Sequence, residues 1–121
     1  MKMRTFGMIF AASTLASVSL AEAADCVGSG QRAAWGQGMS ATFEVASGSS
    51  CTYGFTFEGT ASNSKILKQP QHGTATMLNP TTMEYKSKAG YKGSDSFVIQ
   101  ATGRGMTSSG TSDITMNAIV K

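Results

Sequence analysis

Few side chains in this sequence could carry acid–base, nucleophilic or metal chemistry. His72 is the only histidine, so any imidazole general base must be His72. No Gly-x-Ser-x-Gly elbow occurs, which leaves a triad assembled in space from His72, Asp95 and one of the many turn serines. A carboxylate pair would be drawn from Glu44, Glu58, Glu84, Asp95 and Asp113, all on expected strand surfaces or loops where a solvated acid is the ordinary state. Met39, Met77, Met83, Met106 and Met116 could offer thioethers to Cu(I). Among these five no Met-x-Met or Met-x-x-Met spacing pairs two sulfurs, and Met77 and Met116 fall in strand patterns that read as core filling. The inventory points away from an enzyme and calls for no cofactor and no metal.

The cysteines carry a different chemistry. Lys2 and Arg4 precede a mostly apolar stretch from Phe6 to Leu20, and Ala21-Glu22-Ala23 has the small-x-small form that a signal peptidase cuts. A signal peptide over residues 1–23 is expected, with a mature chain that starts at Ala24 and lives in the periplasm or the medium. Asp25 stands before Cys26 where lipid modification wants a small residue, so a lipoprotein is the weaker reading. In an oxidising compartment Cys26 and Cys51, the only cysteines, form a disulfide by default. Closing that loop is worth about 3 kcal/mol by the chain-entropy argument. A redox or metal-binding pair would want a Cys-x-x-Cys spacing or an adjacent histidine, and neither is present.

Charge excludes other partners. With the expected leader removed, eight basic residues face six acidic ones and no three bases are consecutive, which argues against nucleic acid. Lys86, Lys88 and Lys92 read as a solvated strand edge. After residue 20 no apolar run approaches the length of a membrane span.

The elements that must position these residues are strands. Residues 24–40 are rich in Gly, Ser and Gln and hold one large side chain, Trp35, so an irregular arm tied down by Cys26 is expected. From Ala41 the period becomes two: Phe43 and Val45 share a face, then Cys51, Tyr53, Phe55 and Phe57, around the turn Ser47–Ser50, which predicts a hairpin. Gly59 to Ser64 reads as a loop, and Ile66-Leu67 as a short strand stopped by Pro70. Thr74–Leu78 and Thr82–Lys86 flank Asn79-Pro80 as a second hairpin. A strand over Ser96–Thr102, a Gly103-Arg104-Gly105 loop and a final strand over Ile114–Val120 complete the chain. About seven short strands with frequent turns predict an all-β sandwich over residues 41–121.

One stretch is more specific. Gln69-Pro70-Gln71-His72-Gly73-Thr74-Ala75-Thr76, then Tyr85, then Ala89-Gly90-Tyr91-Lys92-Gly93-Ser94-Asp95-Ser96-Phe97 resembles the bacterial immunoglobulin-like and cadherin-like repeat domains of exported proteins. The resemblance covers about residues 66–120 and implies a Greek-key sandwich that acts as a spacer, an adhesive module or an accessory binding domain. Physical roles follow for the matched positions. Gly73 and Gly93 supply backbone geometry that a residue with a Cβ would resist; His72, where relatives also use Asn, suits a positive-φ turn. Asp95 accepts hydrogen bonds from loop amides, and Tyr85, Tyr91 and Phe97 fill the space between sheets. Relatives that bind calcium carry an acid before the glycine that ends the strand of Phe97; here that place is Gly103, and no calcium site is expected. A single copy of the domain is expected, which weakens a spacer role.

These readings converge on a small exported, non-catalytic module that binds a protein or polysaccharide at the cell envelope or outside the cell. Trp35 either meets that partner or caps one end of the sandwich, and Arg104 is the second candidate contact. An inhibitor of a secreted or periplasmic hydrolase, working through a rigid loop at Gly103–Gly110, is the alternative. A hydrolase using His72 comes third and requires His72 in a cleft with a hydroxyl or carboxylate in reach.

Overall fold

A computed structural model describes residues 24–30 and 34–121; the expected signal peptide lies outside the described residues. Among them are nine strands: β1 (Ala24–Asp25), β2 (Val27–Gly30), β3 (Met39–Val45), β4 (Ser50–Gly54), β5 (Thr60–Lys68), β6 (Gly73–Asn79), β7 (Thr82–Ser87), β8 (Gly93–Arg104) and β9 (Ser109–Val120). They form a sheet of order β1-β4-β7-β6 and a sheet of order β2-β3-β9-β8-β5. The all-β immunoglobulin-like sandwich expected from the sequence is the fold observed, with β3 to β9 as its seven strands. No described helix is long and apolar enough to cross a membrane.

Period-two patterning holds the sheets together. In β9, Ile114, Met116, Ala118 and Val120 are buried, and in β8 Asp95, Phe97, Ile99, Ala101 and Gly103 face the same interior. Phe43 of β3 meets Tyr85 of β7 edge-on at 5.4 Å and Phe97 of β8 at 6.1 Å, and Tyr85 stacks on Phe97 at 5.6 Å. Edge-to-face packing of this kind contributes about 0.5–1.5 kcal/mol per pair beyond burial. The β6–β7 hairpin forms around Asn79-Pro80 as expected, with Asn79 Oδ1 accepting from the Thr81 N–H at 2.9 Å.

Four local expectations are corrected. The strands of Phe43 and Cys51 do not form a hairpin: β3 lies in one sheet and β4 in the other, and Phe43 faces Tyr53 across the interior at 6.2 Å. Alternation marks which side of a strand is apolar but not its neighbour. Two apolar sides joined by a short turn are buried equally well by facing each other. The partner of β3 is instead β9, in parallel register from Met39↔Ile114 to Val45↔Val120. Gly59 to Ser64 is not a loop; β5 begins at Thr60, an edge strand with polar residues on both faces and register shifts at Ala61/Asn63 and Ile66/Lys68. Gly103-Arg104 is not a loop either but the end of β8, and the turn is Gly105–Ser108, closed by Gly105 N–H donating to the Ser108 carbonyl at 2.7 Å.

The fourth concerns the arm. Ala24–Asp25 pairs in parallel with Cys51–Thr52, and Val27–Gly30 pairs antiparallel with β3, so the chain passes from one sheet to the other at Cys26. Cys26 and Cys51 are joined there by the expected disulfide. The opposite flank, between β5 and β6, is bridged by side chains.

Candidate functional site

The fold-motif residues converge on Asp95, at the start of β8 and 6% exposed. Its carboxylate accepts from four donors. Oδ1 takes the N–H of Gln71 at 3.0 Å and that of Ser96 at 3.0 Å; Oδ2 takes the N–H of His72 at 3.1 Å and the Tyr85 hydroxyl at 2.8 Å. Charge-assisted bonds of this kind are about twice as strong as neutral ones. Asp95 thus ties the approach to β6 and the entry to the Phe97 strand to the centre of the sandwich. Gly73 makes the geometry possible by close approach: a Cβ there would sit 2.8 Å from the Tyr85 ring and hydroxyl. Pro70 is buried beside it. Gly90 and Gly93 both have positive φ, at 89° and 135°.

His72 does not adopt the positive φ expected of it, since no described residue other than glycine does. It lies instead flat against Tyr91, with ring centroids 3.8 Å apart and planes within 2°. Tyr91 is half-buried at the rim, and its hydroxyl donates to the Ser94 carbonyl.

His72, Ser94, Asp95 and Ser96 line one shallow cleft, so the residue types of a triad do come together. Their contacts are those of a structural corner. Asp95 reaches His72 through the backbone N–H, not the imidazole, and its oxygens are already engaged by backbone and phenol donors. An aspartate that orients a catalytic imidazole must bond its ring nitrogen.

Burial, followed by the hydrogen bond and charge of Asp95, holds the Tyr85 phenol well above its ordinary range. A tyrosine raised in the folded state stabilises the fold fully below its unfolded value near 10, and the contribution falls as pH rises above that. Alkaline titration is therefore expected to lower the melting temperature above pH 10, and Tyr85→Phe to flatten that decline. Melting curves of both chains between pH 8 and 11 give the comparison; parallel slopes would count against the assignment.

Among the described residues, an open groove lies on the flank where the chain changes sheets. Beyond its short pairing with β1, β4 and the residues after it present Tyr53, Phe55 and Phe57 in a row, with centroids 5.1 and 5.8 Å apart. All three are half-buried. They form one wall of a groove of about 240 Å³ between the sheets, with Gly30, Met39 and Ala41 opposite and Ile114 at its floor. Burial also raises the Tyr53 phenol. The sequence placed these aromatics on one face but gave no sign that the strand beside them would end so early.

Trp35 had two expected roles, partner contact or cap. It is 4% exposed, stacks on Phe57 at 4.8 Å and donates its indole N–H to the Glu58 carbonyl at 2.7 Å. Of its two expected roles it takes the capping one, so it is unavailable as a partner contact. Arg104 remains exposed beside the β8–β9 turn, at whose tip Met106 is fully exposed.

Two packed sheets of orders β1-β4-β7-β6 and β2-β3-β9-β8-β5 place the chain in the immunoglobulin-like class of all-β sandwich. The sequence model of the bacterial Ig domain matches residues 37–115, and the chain belongs to that family, whose domains are typically non-catalytic. No curated protein matches the chain. Among solved structures it is similar to an endo-fucoidan hydrolase, MfFcnA4_H294Q, from glycoside hydrolase family 107, at 14% identity and a TM-score of 0.41. That match covers 69% of this chain and 13% of the hydrolase chain.

Proposed function

We propose that this protein is an exported, non-catalytic binding module acting at the bacterial cell envelope or outside the cell, with the groove along Tyr53, Phe55 and Phe57 as its contact surface. The observation that carries the reading is a row of three half-buried aromatics along a groove, while the other described aromatics are spent on packing. Half-exposed aromatic rings beside an opening supply large contact area at low entropic cost. The partner that fits best is a protein. Phe55 has a ring on each side, so the row offers edges and gaps for an apolar side chain rather than a bare ring face for a sugar. Export rests on the apolar leader and the disulfide.

The chain from Ala24, immobilised and exposed to periplasmic extract and culture medium, is expected to retain a protein that the Phe55→Ala variant retains at least about tenfold less, as central aromatic contacts do. Retention of polysaccharide alone, or equal retention by both chains, would overturn the reading.

The inhibitor reading keeps one observation in its favour, the closed turn that displays Met106 beside Arg104. A partner lost on Met106→Ala and kept on Phe55→Ala would select it.

A further inference from the structure

β6 is the outermost strand of its sheet, so one side of its backbone has no ladder partner. The pairing with β7 decides which groups that side presents. Lys88 N–H donates to the His72 carbonyl at 2.9 Å, and the alternation of an antiparallel pair then makes Thr74↔Lys86 and Thr76↔Glu84 the hydrogen-bonded pairs. Ala75 therefore turns both its N–H and its C=O outward.

Both are taken by one side chain. The Ala75 N–H donates to Gln69 Oε1 at 3.1 Å, and Gln69 Nε2 donates to the Ala75 carbonyl at 3.0 Å. A primary carboxamide carries the same donor and acceptor as a peptide group, so Gln69 makes the two bonds that an incoming antiparallel strand would make at this residue. Further along the same edge, the Ser64 hydroxyl donates to the Pro80 carbonyl at 2.6 Å. The two contacts share one antiparallel register, 64 with 80 and 69 with 75, so side chains from β5 and its C-terminal extension line the β6 edge in place of a ladder.

The edge needs such cover. Thr74-Ala75-Thr76-Met77-Leu78 holds no charge and no proline, and Leu78 is 53% exposed. Short uncharged segments rich in β-branched and apolar residues on a sheet edge are templates for pairing with another copy.

We propose that Gln69 is an edge guard: its carboxamide occupies the outward peptide groups of Ala75 and so keeps β6 closed to strand pairing with a second copy of this chain. Two variants of the chain from Ala24 test it. Gln69→Ala removes both bonds, whereas Gln69→Glu keeps an acceptor for the Ala75 N–H but cannot donate to its carbonyl. Hydrogen exchange at the Ala75 amide is expected to accelerate by about tenfold or more in Gln69→Ala and less in Gln69→Glu. Sedimentation velocity is expected to show Gln69→Ala associating at concentrations where the parent chain does not, with Gln69→Glu between them. Adding Thr76→Lys to Gln69→Ala sets like charges near each other wherever two β6 edges pair, and is expected to return the sedimentation profile to that of the parent.

An unchanged Ala75 exchange rate in Gln69→Ala would overturn the proposal. So would faster exchange without association, or association that persists with Thr76→Lys. Should Gln69→Ala fail to fold, Gln69→Glu alone and with Thr76→Lys carries the same readouts.

Discussion

Replacing Asp95 with alanine is expected to destabilise the domain by about 4 kcal/mol, from the loss of several charge-assisted hydrogen bonds at a buried site. The carboxylate serves two amides of the segment before β6, its own neighbour's amide and a phenol at the centre of the core. Without it the Tyr85 hydroxyl is left facing a cavity, and Gln71 and His72 lose the acceptor that fixes their backbone. Asp95→Asn is expected to cost about 2 kcal/mol, because an amide can accept through only one of its two heads and turns a donor toward a donor. Urea unfolding of both variants, in a double-mutant cycle with Tyr85→Phe, reads out the coupling. A loss below about 1 kcal/mol for Asp95→Ala would show that the cluster does not hold the corner, since that is the scale of one ordinary net hydrogen bond.

The second large effect is expected at the other end of the sandwich. Trp35→Ala removes the stack on Phe57 and the bond to the Glu58 carbonyl, at about 4 kcal/mol for deletion of a buried indole. Gly103→Ala attacks the same contact from the other side, because a Cβ at residue 103 would lie 2.2 Å from the Trp35 ring and 2.5 Å from the Thr60 carbonyl. The glycine variant keeps the only tryptophan, so its fluorescence reports the change directly: the emission maximum is expected to shift to longer wavelength as the ring moves toward water. Stability and emission both like the parent's would place Trp35 outside the core.

Much of this architecture was legible in the residues, and the misses share one cause. Ile114 to Val120 alternates so regularly that its buried face could be assigned on sight, and the Asn79-Pro80 turn announced its hairpin. What alternation does not carry is the identity of a strand's neighbour. The run from Phe43 to Phe57 therefore read as a hairpin, although its two halves sit in opposite sheets. β5 was hidden for a related reason. An edge strand whose inner face is only partly buried, through Ala61 and Ile66, shows too little apolar period, and Thr60 to Ser64 looks like any polar loop.

The chemistry was legible to a similar degree. Asp95 was recognisable as an acceptor of loop amides, but its bond to Tyr85 joins positions ten residues apart in neighbouring layers and needed the fold. His72 was assigned to a turn because histidine and asparagine share a tolerance for positive φ. The structure uses the property they do not share, a flat ring that covers Tyr91. Gln69 was visible as the first letter of the motif and received no role, since only coordinates reveal which backbone groups an edge strand leaves unpaired.

The parallel pairing of β3 with β9 bears on the order in which the domain can assemble. Its register joins residues 75 positions apart in the chain, such as Met39 with Ile114. β3, whose Phe43 stands at the centre of the core, is paired on one side by β2 but gains its second ladder only after β9 has been synthesised. A nascent chain that ends before Ile114 has the β6–β7 hairpin but no neighbour for β3 on that side, and contacts of such long separation fold slowly, on the order of milliseconds to seconds. Late closure keeps the chain before Ile114 pliable until β9 has been made.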